Sequence, residues 1–146
     1  MKRTGSCQCG QVRYEIDGDA LFTYACHCHT CQKRTGSAFS IGAVYPKVSL
    51  RCSGEFTAFE RTSDAGEINT RFSCAKCGNV IYGVGANAPG VVKLQAGTLD
   101  VTTHVVPNVH IWVKYAQPWV VIPGNARRYD TQPQSAAEFL EAARSP

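Results

Sequence analysis

A chain of 146 residues, 44% hydrophobic and 18% charged, has the size and composition of one globular domain with its own core. No apolar run approaches the ~20 residues needed to cross a bilayer, and the basic start Met1-Lys2-Arg3 has no apolar stretch behind it to make a secretory signal, so the expected compartment is the cytosol. The formal charge of +4 carries little weight, because cysteines ionised by a metal would nearly cancel it, and no Lys/Arg stripe with interleaved aromatics points to nucleic acid.

Val12, Tyr14 and Ile16 alternate with Arg13, Glu15 and Asp17, the pattern of a half-buried strand. Asp17-Gly18-Asp19 marks a turn, and the apolar run 21–25 leads into a cysteine cluster. One helical turn is expected over His29–Arg34, ending near Gly36. Residues 38–45 read as a strand closed by Pro46. Val48, Leu50 and Cys52 alternate next, which places Cys52 on a buried apolar face. Strands over 55–61 and 67–73 flank a turn at Ser63–Gly66, and further strands follow over 79–84, 91–94 and 110–115. Near the end, Ser135-Ala136-Ala137-Glu138 fits a capping box, with Phe139, Leu140 and Ala143 as an apolar stripe. Many short strands with Gly/Pro turns predict a mostly β domain with a short C-terminal helix.

Seven of the eight cysteines form three groups. Cys7-x-Cys9-Gly10 and Cys74-x-x-Cys77-Gly78 read as two zinc knuckles, the glycine after each second cysteine permitting a tight turn. Four thiolates make a closed tetrahedral structural site. Disulfides fit a reducing compartment badly, and no βαβ unit supports a redox CxxC. Cys26, Cys28 and Cys31 form the third group, able to hold a second zinc while leaving one position open, the arrangement of a catalytic ion. His27 or His29 could instead close that site, or sit behind its ligands. A metal-free reactive thiol and an oxidation-sensitive zinc site are the remaining readings.

Three stretches resemble the glutathione-dependent formaldehyde-activating enzyme family, also called the GFA or CENP-V domain family: residues 6–14 (SCQCGQVRY), 26–34 (CHCHTCQKR) and 72–78 (FSCAKCG), with residues 107–111 (PNVHI) as a weaker fourth. The resemblance spans roughly residues 4–125. It implies an Mss4-like (β-tent) fold, with a zinc-binding domain over 1–130 and a helical tail over 131–146 packed on it. It also implies two zinc ions per chain, structural at Cys7, Cys9, Cys74 and Cys77 and catalytic at Cys26, Cys28 and Cys31. His29 departs from the pattern, where a small or variable residue is expected. The family's named reaction joins glutathione to formaldehyde.

The expected chemistry is therefore carbon–sulfur bond formation of a lyase type, in which a thiol such as glutathione loses its proton at the open position and adds to a small aldehyde. His27, His29 or His110 could carry the proton. Lys33 and Arg34 could receive the glutathione carboxylates, with His110 beside them. The rival expectation is a zinc-stabilised protein-interaction module without turnover. No membrane or nucleic-acid partner is expected, and the sequence leaves the oligomeric state open.

Overall fold

The computed structural model describes residues 1–144, so the last two residues of the expected tail, 145–146, lie outside the described residues. The chain is mostly β, with antiparallel sheets and a short C-terminal helix, as expected. It forms two compact units, and the boundaries interleave along the chain.

The first unit holds residues 1–20 and 44–104. Strands β1 (Lys2–Ser6), β2 (Arg13–Asp17) and β5 (Leu50–Ser53) form one antiparallel sheet with β2 in the centre. The alternation foreseen for β2 holds, and Val12, Tyr14 and Ile16 are buried. A second antiparallel array runs β6 (Phe56–Thr62), β7 (Ile68–Cys74), β8 (Val80–Gly85) and β9 (Val91–Gln95), each strand beside the next. The register of β7 against β8 slips between Phe72 and Ser73, immediately before Cys74, and such a bulge re-aims the residues that follow it. Tyr45, Ile81, Val92 and Leu94 are among the largest fully buried side chains.

One expectation fails in this unit. Val48 lies in a 3-10 turn over Lys47–Ser49 rather than on a strand, and its side chain is 89% exposed. Cys52 is exposed as well. Along β5 only Leu50 is partly buried, while Arg51, Cys52 and Ser53 are exposed, so no layer covers the expected face.

The second unit holds residues 21–43 and the chain from 105 onward. β3 (Phe22–Cys26) leads through Cys28 into helix α1 (His29–Thr35), which ends at Gly36 as foreseen. The strand β4 (Ser40–Pro46) begins here and finishes in the first unit. β10 (Val109–Ile111) runs parallel to β3, with Ile111 opposite Cys26, and parallel to the two-residue β11 (Arg127–Arg128) on its other side. Sequence reading extended β10 to residue 115. Trp112 instead adopts a left-handed backbone (φ 57°) and turns the chain into a 3-10 segment, Val113–Tyr115. For a bulky residue that conformation costs about 1 kcal/mol or more, and bonds on both sides hold it. Trp112 N–H donates to the Thr131 carbonyl (2.5 Å), Tyr115 N–H donates to the Trp112 carbonyl (3.0 Å), and the indole N–H reaches Gln132 Oε1 (3.3 Å).

Helix α2 (Ala136–Arg144) starts as its sequence signals, with Glu138 N–H donating to Ser135 Oγ (3.2 Å). The Glu138 carboxylate accepts from Gln134 N–H (2.7 Å), one residue earlier than a standard capping box. Ala142, outside the foreseen stripe, is the buried residue of α2. It packs with Cys26, Cys31, Val109 and Ile111, and Tyr24, Trp112, Phe139 and Ala143 pack around them.

Candidate metal centres

The two cysteine pairs of the first unit are built alike. Gly10 N–H donates to the Cys7 carbonyl (3.0 Å) and Gly78 N–H donates to the Cys74 carbonyl (2.9 Å). Both glycines have positive φ (76° and 74°), which a side chain would strain. The pairs meet, with the sulfurs of Cys7, Cys9, Cys74 and Cys77 all within 4.8 Å of one another. Cys7 and Cys9 Sγ are 3.5 Å apart, and Cys9 and Cys74 Sγ 3.8 Å. A disulfide would need about 2.05 Å, whereas four sulfurs at ~2.3 Å from a tetrahedral ion stand about 3.8 Å from each other. All eight cysteines are free.

Donors converge on these sulfurs. Val12 N–H points at Cys7 Sγ (3.2 Å) and Cys77 N–H at Cys74 Sγ (3.5 Å). The Gln11 amide is oriented so that its NH2 donates to the Glu55 carbonyl (3.2 Å) and its oxygen accepts from Glu55 N–H (3.1 Å), and it lies 3.1 Å from Cys74 Sγ. Burial pushes the Cys7 thiol up, but the Val12 N–H and the thiols of Cys9, Cys74 and Cys77 overcome this and bring it down to about 6. Cys77 is lowered too, chiefly by the Asn79 N–H, so two sulfurs of the four favour the ionised form that metal binding requires.

In the second unit Cys26, Cys28 and Cys31 bring three sulfurs within 4.8 Å of one another, and no histidine nitrogen belongs to the group. Cys26 ends β3. Cys28 is the N-cap of α1, its sulfur accepting from Cys31 N–H (3.4 Å). Cys31 sits on the buried face of α1. Hydrogen bonds from Cys26 and then Cys28 hold the Cys31 thiol far below its ordinary range, helped by Ser40 and by Arg34, whose Nη2 lies 3.7 Å from the sulfur. The same bonds to Cys28 and Cys31 push Cys26 up. The three sulfurs are coupled and titrate as a unit.

His27 points away from the sulfurs. Its Nε2 lies 3.0 Å from His110 Nδ1, and both rings are buried, at 0% and 4% exposure. Phe39 covers the other side of His27 (ring centroids 5.2 Å apart). His27 Nδ1 and His110 Nε2 have no hydrogen-bond partner among the described residues. Burial lowers the pKa of both imidazoles; the Cys31 charge opposes this at His27, and the neighbouring His27 adds to it at His110. His29 is exposed, its ring tilted against Tyr115 (centroids 4.3 Å apart, planes at 38°). Lys33 is exposed and two residues from Cys31, about 200° around the helix and so on the opposite face.

Sequence reading missed Gln32 and Ser40. Gln32 Nε2 donates to the carbonyls of His27 (2.8 Å) and Tyr115 (2.9 Å), and Gln117 Nε2 donates to Gln32 Oε1 (2.8 Å), so α1 is tied to the segment after β10. No motif marks a glutamine for such a role.

Residues 2–115 match the family described as glutathione-dependent formaldehyde-activating enzyme. The chain belongs to this GFA family. A relative from Emericella nidulans that carries the family's name is 32% identical over 79 residues, 53% of this chain and 40% of the relative. One from Talaromyces marneffei is 29% identical over 79 residues, covering 53% of this chain and 41% of its own. The chain thus spans about two fifths of the length of the curated relatives it matches. A Rhodobacter sphaeroides protein solved by crystallography shares the fold, with a TM-score of 0.53 at 21% identity, covering 66% of this chain and 87% of that one. All three cysteine stretches that carried the resemblance lie inside the matched GFA region. Among the described residues no helix is long and apolar enough to cross a membrane.

Proposed function

We propose that this GFA-family chain is an enzyme joining a thiol, glutathione foremost, to formaldehyde or another small aldehyde, and that zinc is the metal of both cysteine groups. The observation that carries this is the inequality of the two groups, four sulfurs in one and three in the other. The donor sets fit zinc: four cysteine sulfurs at tetrahedral spacing in the first group, and three clustered cysteine sulfurs in the second. Cys7, Cys9, Cys74 and Cys77 would hold a structural ion, and Cys26, Cys28 and Cys31 a catalytic one. When bound at the second group, zinc favours the deprotonated form of an incoming thiol.

The chain's own residues then have defined tasks. The addition forms one C–S bond, turns the aldehyde C=O into C–OH, and moves the thiol proton to that oxygen; nothing is oxidised or reduced. His27 and His110, kept neutral by burial, share one hydrogen bond, and a proton taken up at one outer nitrogen (His27 Nδ1 or His110 Nε2) as another leaves from the other would cross the pair without building charge in the core. Gln32 fixes the backbone at His27. Arg34 offsets the negative charge of the sulfurs.

The test is the rate of S-(hydroxymethyl)glutathione formation by carbon-13 NMR, with zinc-loaded protein, glutathione and labelled formaldehyde. Acceleration over the uncatalysed reaction that disappears in Cys28→Ser is the expected result. A folded protein with both ions bound and no acceleration for any small aldehyde would favour the interaction module instead.

A further inference from the structure

The left-handed turn at Trp112 leaves an exposed surface that the reaction above does not use. Trp112 packs on the cluster that contains Cys26 and Cys31. Tyr115 lies parallel to it, centroids 6.2 Å apart and planes within 5°. The Lys114 ammonium sits over both rings, 5.5 Å from Trp112 and 4.9 Å from Tyr115. His29 lies against Tyr115 (centroids 4.3 Å apart), and Lys33 is one helical turn further along the same face of α1. No carboxylate among the described residues is recorded in an ion pair with Lys114.

A lysine placed this way is partly immobilised yet keeps its donors for another group. The segment carrying it is held by the Gln32 and Gln117 bonds, so its position relative to α1 is fixed before any ligand arrives. A peptide thiol has its sulfur mid-chain and its carboxylates one residue away, roughly 4–7 Å along the backbone. Through Trp112 the aromatic pair adjoins the side chains packed around Cys26 and Cys31.

We propose that Lys114, seated on Trp112 and Tyr115 and flanked by His29 and Lys33, is a carboxylate-binding subsite that selects acidic thiols over neutral ones. This rests on the proposed function and names the chemistry of its thiol. It moves the anchoring role expected of Lys33 and Arg34 chiefly to Lys114, because Arg34 faces Cys31.

The test is calorimetric binding to the zinc-loaded full chain, comparing glutathione with glutathione diethyl ester, which keeps the thiol and blocks both carboxylates. The wild type should prefer glutathione by about tenfold, the worth of one charge-assisted hydrogen bond. Lys114→Gln should shrink that preference below about threefold, and Lys114→Arg should restore it. If both thiols bind the wild type equally, or if Lys114→Gln keeps the full preference, the subsite is wrong and the proposed reaction stands. If neither thiol binds, the proposed reaction falls and the subsite with it.

Discussion

The two cysteine groups use the same sulfur chemistry with opposite chain topology. The four-sulfur group joins Cys9 to Cys74, 65 residues apart, through two matched knuckles. The three-sulfur group lies within residues 26–31. Closing a loop costs entropy that grows with the logarithm of its length, so the distant link should constrain the unfolded chain by ~2 kcal/mol more than the local one. Unequal sulfur counts and unequal reach both favour the proposed division, in which the first group would secure the fold and the second would serve chemistry.

The largest expected effect tests that division directly. Cys74→Ser should lose one ion per chain and lower the melting temperature by more than about 10 °C, or unfold the protein, because binding energy at a structural site is folding energy. Metal analysis with thermal melting reads both. Cys28→Ser should lose the other ion and turnover but melt within about 4 °C of the wild type. The reason is local: Cys28 is the N-cap of α1, and serine caps at least as well. If Cys28→Ser unfolds the chain while Cys74→Ser does not, the two roles are exchanged.

The histidine pair sharpens the comparison from the catalytic side. His110→Phe leaves His27 Nε2 buried and unpaired, which should destabilise by about 1–3 kcal/mol and slow turnover by about 100-fold. Both imidazoles titrate below their unfolded value, so the unfolded chain binds protons first as pH falls. Stability from this source is complete above about pH 6.5 and declines below it. Melting curves from pH 7.5 to 5.5 should show a shallower decline in His110→Phe than in the wild type. The smallest effect belongs to Arg34→Gln. Losing the guanidinium near Cys31 should weaken zinc at the three-sulfur group by about tenfold, read by chelator competition, while the four-sulfur group is untouched.

The knuckles were legible because a glycine after the second cysteine has one physical meaning, and Gly10 and Gly78 both carry it. The strand at Arg13–Asp17 was legible from its alternation, and α1 from the glycine that ends it. β1 was not, since Lys2–Ser6 has no apolar alternation and is defined by its pairing with β2. Cys52 was misplaced because alternation shows that residues share a face, not whether anything covers it. Nor could spacing show that His27 turns to His110 rather than to the sulfurs: that depends on the parallel pairing of β3 with β10, made across more than 80 residues of chain.

That pairing also sets an order of events during synthesis. The three sulfurs of the second group have all emerged once residue 31 leaves the ribosome, since they lie within six residues of one another in the chain. The other group must wait for Cys77, and the imidazole of His27 waits longer still for His110. If the local cluster holds an ion as proposed, all its ligands are synthesised long before the rest of the protein around them.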